Sequence, residues 1–175
     1  FAKDLDSIIV DHPKNVVVLR SMTKFYAVPG LRLGYAVTEP ELAGRIRDLL
    51  PPWSLNVFAQ EVGRRALKGE DYARRTRETV DRERERLRTE LGGMPRLTVY
   101  PGRANFLLIR IDRDDLTAPE LAEDLLLEDG IAIRVCENFS GLDERFFRVA
   151  VRTEAENRRL IAALCRALGR PAAWN

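Results

Sequence analysis

Ser21-Met22-Thr23-Lys24-Phe25-Tyr26-Ala27-Val28-Pro29-Gly30-Leu31-Arg32-Leu33-Gly34-Tyr35 is the stretch that decides the fold. It follows the compact apolar run Val16-Val17-Val18-Leu19, which reads as a buried parallel strand. Ser21 to Lys24 then fall at a strand end, where open α/β sheets bind their ligands. A lysine amine forms a Schiff base with an aldehyde once it is deprotonated, which burial and neighbouring cations favour. Arg32 supplies such a cation. It also suits a phosphate, which it can hold through two parallel charge-assisted hydrogen bonds, with Ser21 and Thr23 adding hydroxyl donors. Gly30 and Gly34 let backbone pass close to a ligand. The grouping fits a phosphorylated aldehyde; it fits equally a strand, a turn and a second strand bearing an ordinary surface lysine and arginine.

The surrounding chain reads as α/β. Leu33 to Val37 is the next strand, and Thr38-Glu39-Pro40-Glu41 opens a helix with a capping hydroxyl, a first-turn proline and early acids. That helix runs to about Leu50, where Pro51-Pro52 stop it. Asn56 to Lys68 is a second helix, with Val57, Ala59 or Gln60, Val62 or Gly63, and Leu67 on its apolar side. Residues 70–92 are the most charged run, with Ala73, Val80 and Leu87 at seven-residue intervals and acids interleaved with arginines. This predicts a long solvated helix laced with i,i+4 pairs and burying a narrow stripe.

Beyond Gly92-Gly93 the pattern becomes that of an α+β domain. Leu97–Tyr100 and Asn105–Ile111 read as strands flanking a turn at 101–104. A helix capped at Asp115 or Thr117 follows, with Leu121, Leu125 and Leu126 on one face, and Gly130 closes it. Residues 131–135 and 146–151 are further strands. Thr153 caps a last helix whose core stripe is Leu160, Ile161, Leu164 and Leu168, and residues 170–175 read as a loose tail.

Composition narrows the function. Hydrophobic residues make up 45% and charged residues 32%, which is the balance of a soluble globular protein. The formal charge is only +2, from 29 basic and 27 acidic residues, so nothing supports a nucleic-acid footprint. Lysine occurs only at Lys3, Lys14, Lys24 and Lys68, which makes the position of Lys24 more pointed. Cys136 and Cys165 lack metal-type spacing, the lone His12 excludes a histidine cluster, and both cysteines read as buried small apolar residues. No metal is expected. No apolar stretch is long enough to span a membrane and no signal-peptide pattern is present, so no membrane partner and a cytoplasmic location are expected.

Taken with Pro52-Trp53-Ser54-Leu55-Asn56, Tyr100-Pro101-Gly102-Arg103-Ala104-Asn105 and Arg148-Val149-Ala150-Val151-Arg152-Thr153, the lysine stretch resembles the class I/II, fold-type I pyridoxal-phosphate (PLP) enzymes. The resemblance covers nearly the whole chain, and several dispersed motifs in the right order are far more specific than one. It implies the C-terminal part of such an enzyme: residues 1–69 as the end of the large domain with its parallel or mixed sheet, 70–92 as a linking helix, and 93–175 as a small α+β domain. The family's ring-binding aspartate, stacking aromatic and N-terminal phosphate loop belong upstream of Phe1. The chain alone is therefore expected to be inactive, and the intact protein is expected to be a homodimer.

The resemblance also assigns roles. Lys24 is the cofactor lysine and proton shuttle, and Ser21, Thr23 and Arg32 hold the cofactor phosphate. Arg148 binds the substrate's α-carboxylate and Arg134 also reaches the substrate, where it can clamp a phosphate. On spacing alone the two arginines read as surface residues at strand ends. Arg152 is a weaker candidate, Asn105 is undecided, Tyr26 and Tyr35 are packing residues, and Trp53 is an interdomain packing aromatic. Within the family the motifs stand nearest to the enzymes that decarboxylate O-phospho-L-threonine to 1-amino-2-propanol O-phosphate, a cobalamin precursor. Transamination of the histidinol-phosphate type and a non-catalytic interaction module are the alternatives.

Overall fold

The computed structural model describes residues 8–9 and 14–169. Residues 1–7 and 10–13, His12 among them, and the tail 170–175 lie outside the described residues. Packing divides the chain into two compact units, one reaching to Thr76 and the other starting at Arg77.

In the first unit, β1 (Val18–Ser21) pairs antiparallel with β2 (Gly34–Val37), Ser21 lying opposite Gly34. The buried parallel strand expected over Val16–Leu19 is therefore displaced toward Ser21 and antiparallel to its described neighbour. Its connection holds only one turn of 3-10 helix, Pro29–Leu31, too little for the crossover a parallel pair needs. Leu19 is 78% exposed, since a two-stranded ribbon packs one face and leaves the other open.

Helix α1 (Pro40–Leu49) begins at its proline, but its cap is Glu39. The Thr38 hydroxyl expected there donates instead to the Val16 carbonyl at 2.8 Å. Helix α2 (Val57–Lys68) is capped by Asn56, whose side chain accepts from the Ala59 N–H at 2.9 Å. Its buried residues are Ala59 and Gly63, whereas Val57 and Leu67, expected on the apolar side, are exposed. Close approach explains this: a Cβ on Gly63 would stand 2.9 Å from a Leu33 methyl, so the smallest residues face the loop and the large ones turn outward. Met22, Leu33 and Ala59 form the small core of this unit. Trp53 is 98% exposed in this chain rather than packed.

Helix α3 (Glu70–Gly92) starts in the first unit and continues into the second. Leu87 and Leu91 are fully buried and Val80 packs against them, as the narrow stripe requires. Glu83 and Arg84 are buried too, which the charge pattern hid. Glu83 accepts from Asn157 Nδ2 at 3.3 Å, and Arg84 pairs with Asp81 at 2.9 Å while donating to the Arg103 carbonyl at 3.4 Å. Elsewhere the helix carries exposed pairs such as Arg86–Glu90 and Arg88–Glu85.

The second unit has one antiparallel sheet built from β3 (Leu97–Val99), β4 (Phe106–Ile111), β5 (Arg134–Val135) and β6 (Phe146–Ala150), in spatial order β3-β4-β6-β5. Alternation sends Leu107, Ile109, Ile111, Phe147 and Val149 to one face, where they pack on α3, α4 (Ala118–Asp129) and α5 (Glu154–Gly169). Thr117, the second of the two expected caps, closes a reciprocal capping box with Glu120, and Gly130 ends α4 at φ 65°. Ile131 spends its N–H on the Leu125 carbonyl in closing that helix, so the strand expected over 131–135 shrinks to Arg134–Val135. Leu126 is 55% exposed, and of the two cysteines only Cys136 is buried. Among the described residues no helix is long and apolar enough to cross a membrane.

Helix α5 opens on a second capping box. The Thr153 hydroxyl donates to Glu156 Oε2 at 2.6 Å and accepts from the Glu156 N–H at 3.4 Å, while Arg152 Nε donates to Glu156 Oε1 at 2.7 Å. The Arg152 guanidinium first, then the Thr153 hydroxyl and N–H, hold the Glu156 carboxyl down at about 2. A folded-state value below the ordinary one contributes stability above the ordinary carboxylate range and loses it as pH falls toward 2. A carboxyl-detected NMR titration should place the Glu156 midpoint near 2, and Arg152→Ala should move it up toward the ordinary value.

Candidate functional site

The lysine loop is closed by its own hairpin. Met22 N–H donates to the Leu33 carbonyl at 3.0 Å just beyond the last β1–β2 pair, and three further bonds tighten the turn: Tyr26 to Met22, Ala27 to Lys24 and Val28 to Thr23. Burial of Met22 and Leu33 fixes the two ends of the loop. Lys24 and Arg32 are exposed. Thr23 is buried, with its hydroxyl 2.9 Å from that of Ser21. The ring of Tyr26 stacks on Tyr72 with centroids 5.8 Å apart, and Tyr72 Oη donates to the Phe25 carbonyl, which seats the loop on the start of α3. Tyr26 is thus a packing residue; Tyr35 is 41% exposed.

Arg32 holds a left-handed backbone at φ 49° while its guanidinium donates to the Pro29 carbonyl at 3.1 Å. A non-glycine residue there costs roughly 1–2 kcal/mol, a strain of the kind found at functional positions. Gly34 does permit a close backbone approach, but of the hairpin to itself: a Cβ would stand 2.9 Å from the Arg20 carbonyl oxygen. Around Gly30 nothing lies within 4 Å of such an atom. An accessible amine, two adjacent hydroxyls and a guanidinium with donors to spare form a set whose chemistry fits a phosphorylated aldehyde.

The two arginines of the second unit meet directly. Arg134 and Arg148 are partners across the β5–β6 pair. Because Phe147 and Val149 point into the core, Arg148 lies on the opposite face of the sheet, away from the helices. Its Cζ stands 4.3 Å from the centroid of Phe106 and 5.7 Å from that of Phe139, and Arg134 Cζ stands 5.8 Å from Phe139. Such contacts contribute about 0.5–1 kcal/mol when exposed and about 2 kcal/mol when desolvated. Among the described residues no carboxylate pairs with either arginine, whereas Arg84, Arg113 and Arg166 each hold one. Arg148 Nε is buried without a hydrogen-bond partner. The Cys136 thiol is buried nearby and is pushed up by that burial, against the pull of both guanidiniums. Arg152, by contrast, is engaged with Glu156. Asn105 accepts the Val151 N–H through its backbone carbonyl, a sheet role.

Residues 3–164 match the model of the family described as aminotransferase class I and II. The chain belongs to that family. It is 46% identical over 155 residues to the threonine-phosphate decarboxylase of Salmonella typhimurium, which covers 88% of this chain and 41% of that protein. The crystal structure of L-threonine-O-3-phosphate decarboxylase from Porphyromonas gingivalis superposes with a TM-score of 0.79 at 30% identity, covering 92% of this chain and 50% of that one. The histidinol-phosphate aminotransferase from Clostridium acetobutylicum gives a TM-score of 0.85 at 33% identity, covering 94% and 50%. The chain thus spans half or less of the length of these relatives. The α/β reading, with the fold-type I architecture, holds, and the cofactor of the family is pyridoxal 5'-phosphate.

Ser21, Thr23, Lys24 and Arg32 share one loop of the first unit, and Arg134 and Arg148 share one sheet face of the second. The sequence reading missed Phe106, Asn138 and Phe139 around the arginines. Phe106 was readable, since it alternates with the buried Leu107, Ile109 and Ile111 and must share the face of Arg148. Asn138 and Phe139 lie in a turn, where no period announces a direction. The glycines give a sharp contrast for testing: Gly34→Ala should cost about 1–3 kcal/mol in urea unfolding of the protein, whereas Gly30→Ala should stay within about 0.5 kcal/mol.

Proposed function

We propose that the intact protein decarboxylates O-phospho-L-threonine to 1-amino-2-propanol O-phosphate, a step toward cobalamin, with pyridoxal 5'-phosphate as cofactor and a homodimer as the working assembly. The observation that carries this reading is the register of Arg134 with Arg148 on an open sheet face without a carboxylate partner. One substrate bearing both a carboxylate and a phosphate offers each guanidinium a counter-ion. The 46% identity to a threonine-phosphate decarboxylase supports the same substrate.

In this reading Lys24 holds the cofactor aldehyde, and Ser21, Thr23 and Arg32 hold its phosphate. When bound there, the cofactor supplies an electron sink for the bond broken at the substrate's α-carbon. With the cofactor bound, the Lys24 amine would receive and return a proton. Arg148 grips the α-carboxylate in a bidentate fork, and Arg134 holds the phosphate. Together they would fix the orientation of the substrate about its α-carbon, and so bear on whether the carboxylate or the hydrogen departs.

A histidinol-phosphate-type transamination is the second reading, favoured by the closeness of the Clostridium acetobutylicum structure. It would use the arginine pair for a phosphate in one half-reaction and a carboxylate in the other. Incubating full-length protein with pyridoxal phosphate and O-phospho-L-threonine should release carbon dioxide without any oxo-acid. A requirement for an oxo-acid acceptor would select transamination instead. Full-length protein should also gain a near-visible absorbance band with pyridoxal phosphate that Lys24→Ala loses; no band in the full-length protein would point to a non-catalytic module. Arg148→Gln should raise KM for O-phospho-L-threonine about 10- to 100-fold, the loss of a charge-assisted pair.

A further inference from the structure

The turn after β5 does something the family relationship does not explain: it sets one aromatic ring against two like charges. Arg134 and Arg148 face each other across neighbouring strands, an arrangement in which like charges repel. With no carboxylate beside them, they would be expected to swing apart into solvent. Instead both guanidiniums are gathered on one ring, Phe139, whose centroid lies 5.8 Å from Arg134 Cζ and 5.7 Å from Arg148 Cζ. Phe106 backs Arg148 at 4.3 Å, and Asn138 Oδ1 accepts from a terminal nitrogen of Arg134 at 3.1 Å.

The turn is built to hold that ring. Phe139 N–H donates to the Cys136 carbonyl and Leu142 N–H to the Phe139 carbonyl, both at 3.0 Å. Gly141 completes the turn at φ 84°, a conformation that suits glycine. Phe139 is 40% exposed and Asn138 is exposed, so neither position is explained by core packing. A guanidinium lying on an aromatic face keeps its N–H edge for an anion, and its rotamer is fixed before the anion arrives.

We propose that Phe139 and Asn138 are positioning residues that hold Arg134 and Arg148 at a set spacing, preorganised for a small molecule carrying two anionic groups. This rests on the reading of the arginine pair as the substrate's anion site. Phe139 acts on binding and spacing, not on the bond-breaking step, and what it supplies is the ring face rather than bulk.

The test uses full-length protein with Phe139→Leu, which keeps apolar volume without the ring, Phe139→Tyr, which keeps the ring, and Asn138→Ala. Phe139→Leu is expected to raise KM for O-phospho-L-threonine about 10-fold with kcat within about 2-fold, Phe139→Tyr to restore the parent KM, and Asn138→Ala to raise KM by a smaller factor. A second arm needs no turnover: titrating inorganic phosphate while following the Arg148 Nε–Hε NMR signal. Phe139→Leu is expected to need about 10-fold more phosphate than the parent or Phe139→Tyr. An unchanged phosphate midpoint in Phe139→Leu overturns the inference, as does a loss that Phe139→Tyr shares. If the parent releases no carbon dioxide yet the phosphate difference appears, the inference stands and the decarboxylase reading falls. Should Phe139→Leu fail to fold, the phosphate midpoint of Asn138→Ala decides: a rise supports the proposal and no change overturns it.

Discussion

Along β6 each residue must point opposite to the one before it, and that two-residue period organises the second unit. Phe147 and Val149 are sent inward, where with Leu107, Ile109 and Ile111 they give the helices a surface to cover. Arg148, between them, has no choice but the outer face. Slipping the strand by one residue would bury the arginine and expose the phenylalanine, so the core that stabilises the sheet also fixes where the charge stands. The position of this charge is a by-product of folding energy.

The first unit uses a different device. Its loop is held by two short strands whose separation depends on the missing side chain of Gly34, opposite the Arg20 carbonyl. Leu33, at one loop end, is drawn against α2 because Gly63 leaves it room, and Met22, at the other, joins the same small core. Between those anchors the chain has little freedom, which is why a polar segment rich in side-chain options is ordered at all. The left-handed backbone of Arg32 is where this closure is resolved.

Much of this was legible from residue order. Glycine, proline and capping hydroxyls placed the helix ends at Gly69, Gly130 and Thr153, because each acts locally. The candidate site was legible only through the dispersed motifs, since spacing alone left Lys24 open between two readings and made surface residues of Arg134 and Arg148. What failed was knowledge of which side meets a neighbour. Val57 and Leu67 are apolar yet exposed, while Glu83 and Arg84 are charged yet buried, because the partners that decide these cases, Leu33 in one and Asn157 and Arg103 in the other, lie far away in the chain. Cys165 follows Leu164 in α5, and the 100° step between them takes it off the core face. The strand taken as parallel shows the same limit, since pairing direction depends on the length of the connection and not on the strand's own residues.

The Ser21–Thr23 contact has a consequence for how the loop meets charge. Two hydroxyls carry two hydrogens, and the bond between them consumes one, in either direction. The remaining hydrogen is therefore not assigned to a fixed oxygen by the fold. A negative oxygen near Ser21 would orient the pair so that Thr23 donates to Ser21 and Ser21 donates to the anion. Any anion at that point would meet a small dipole that the anion itself aligns, a polarity induced on arrival and relaxed on departure.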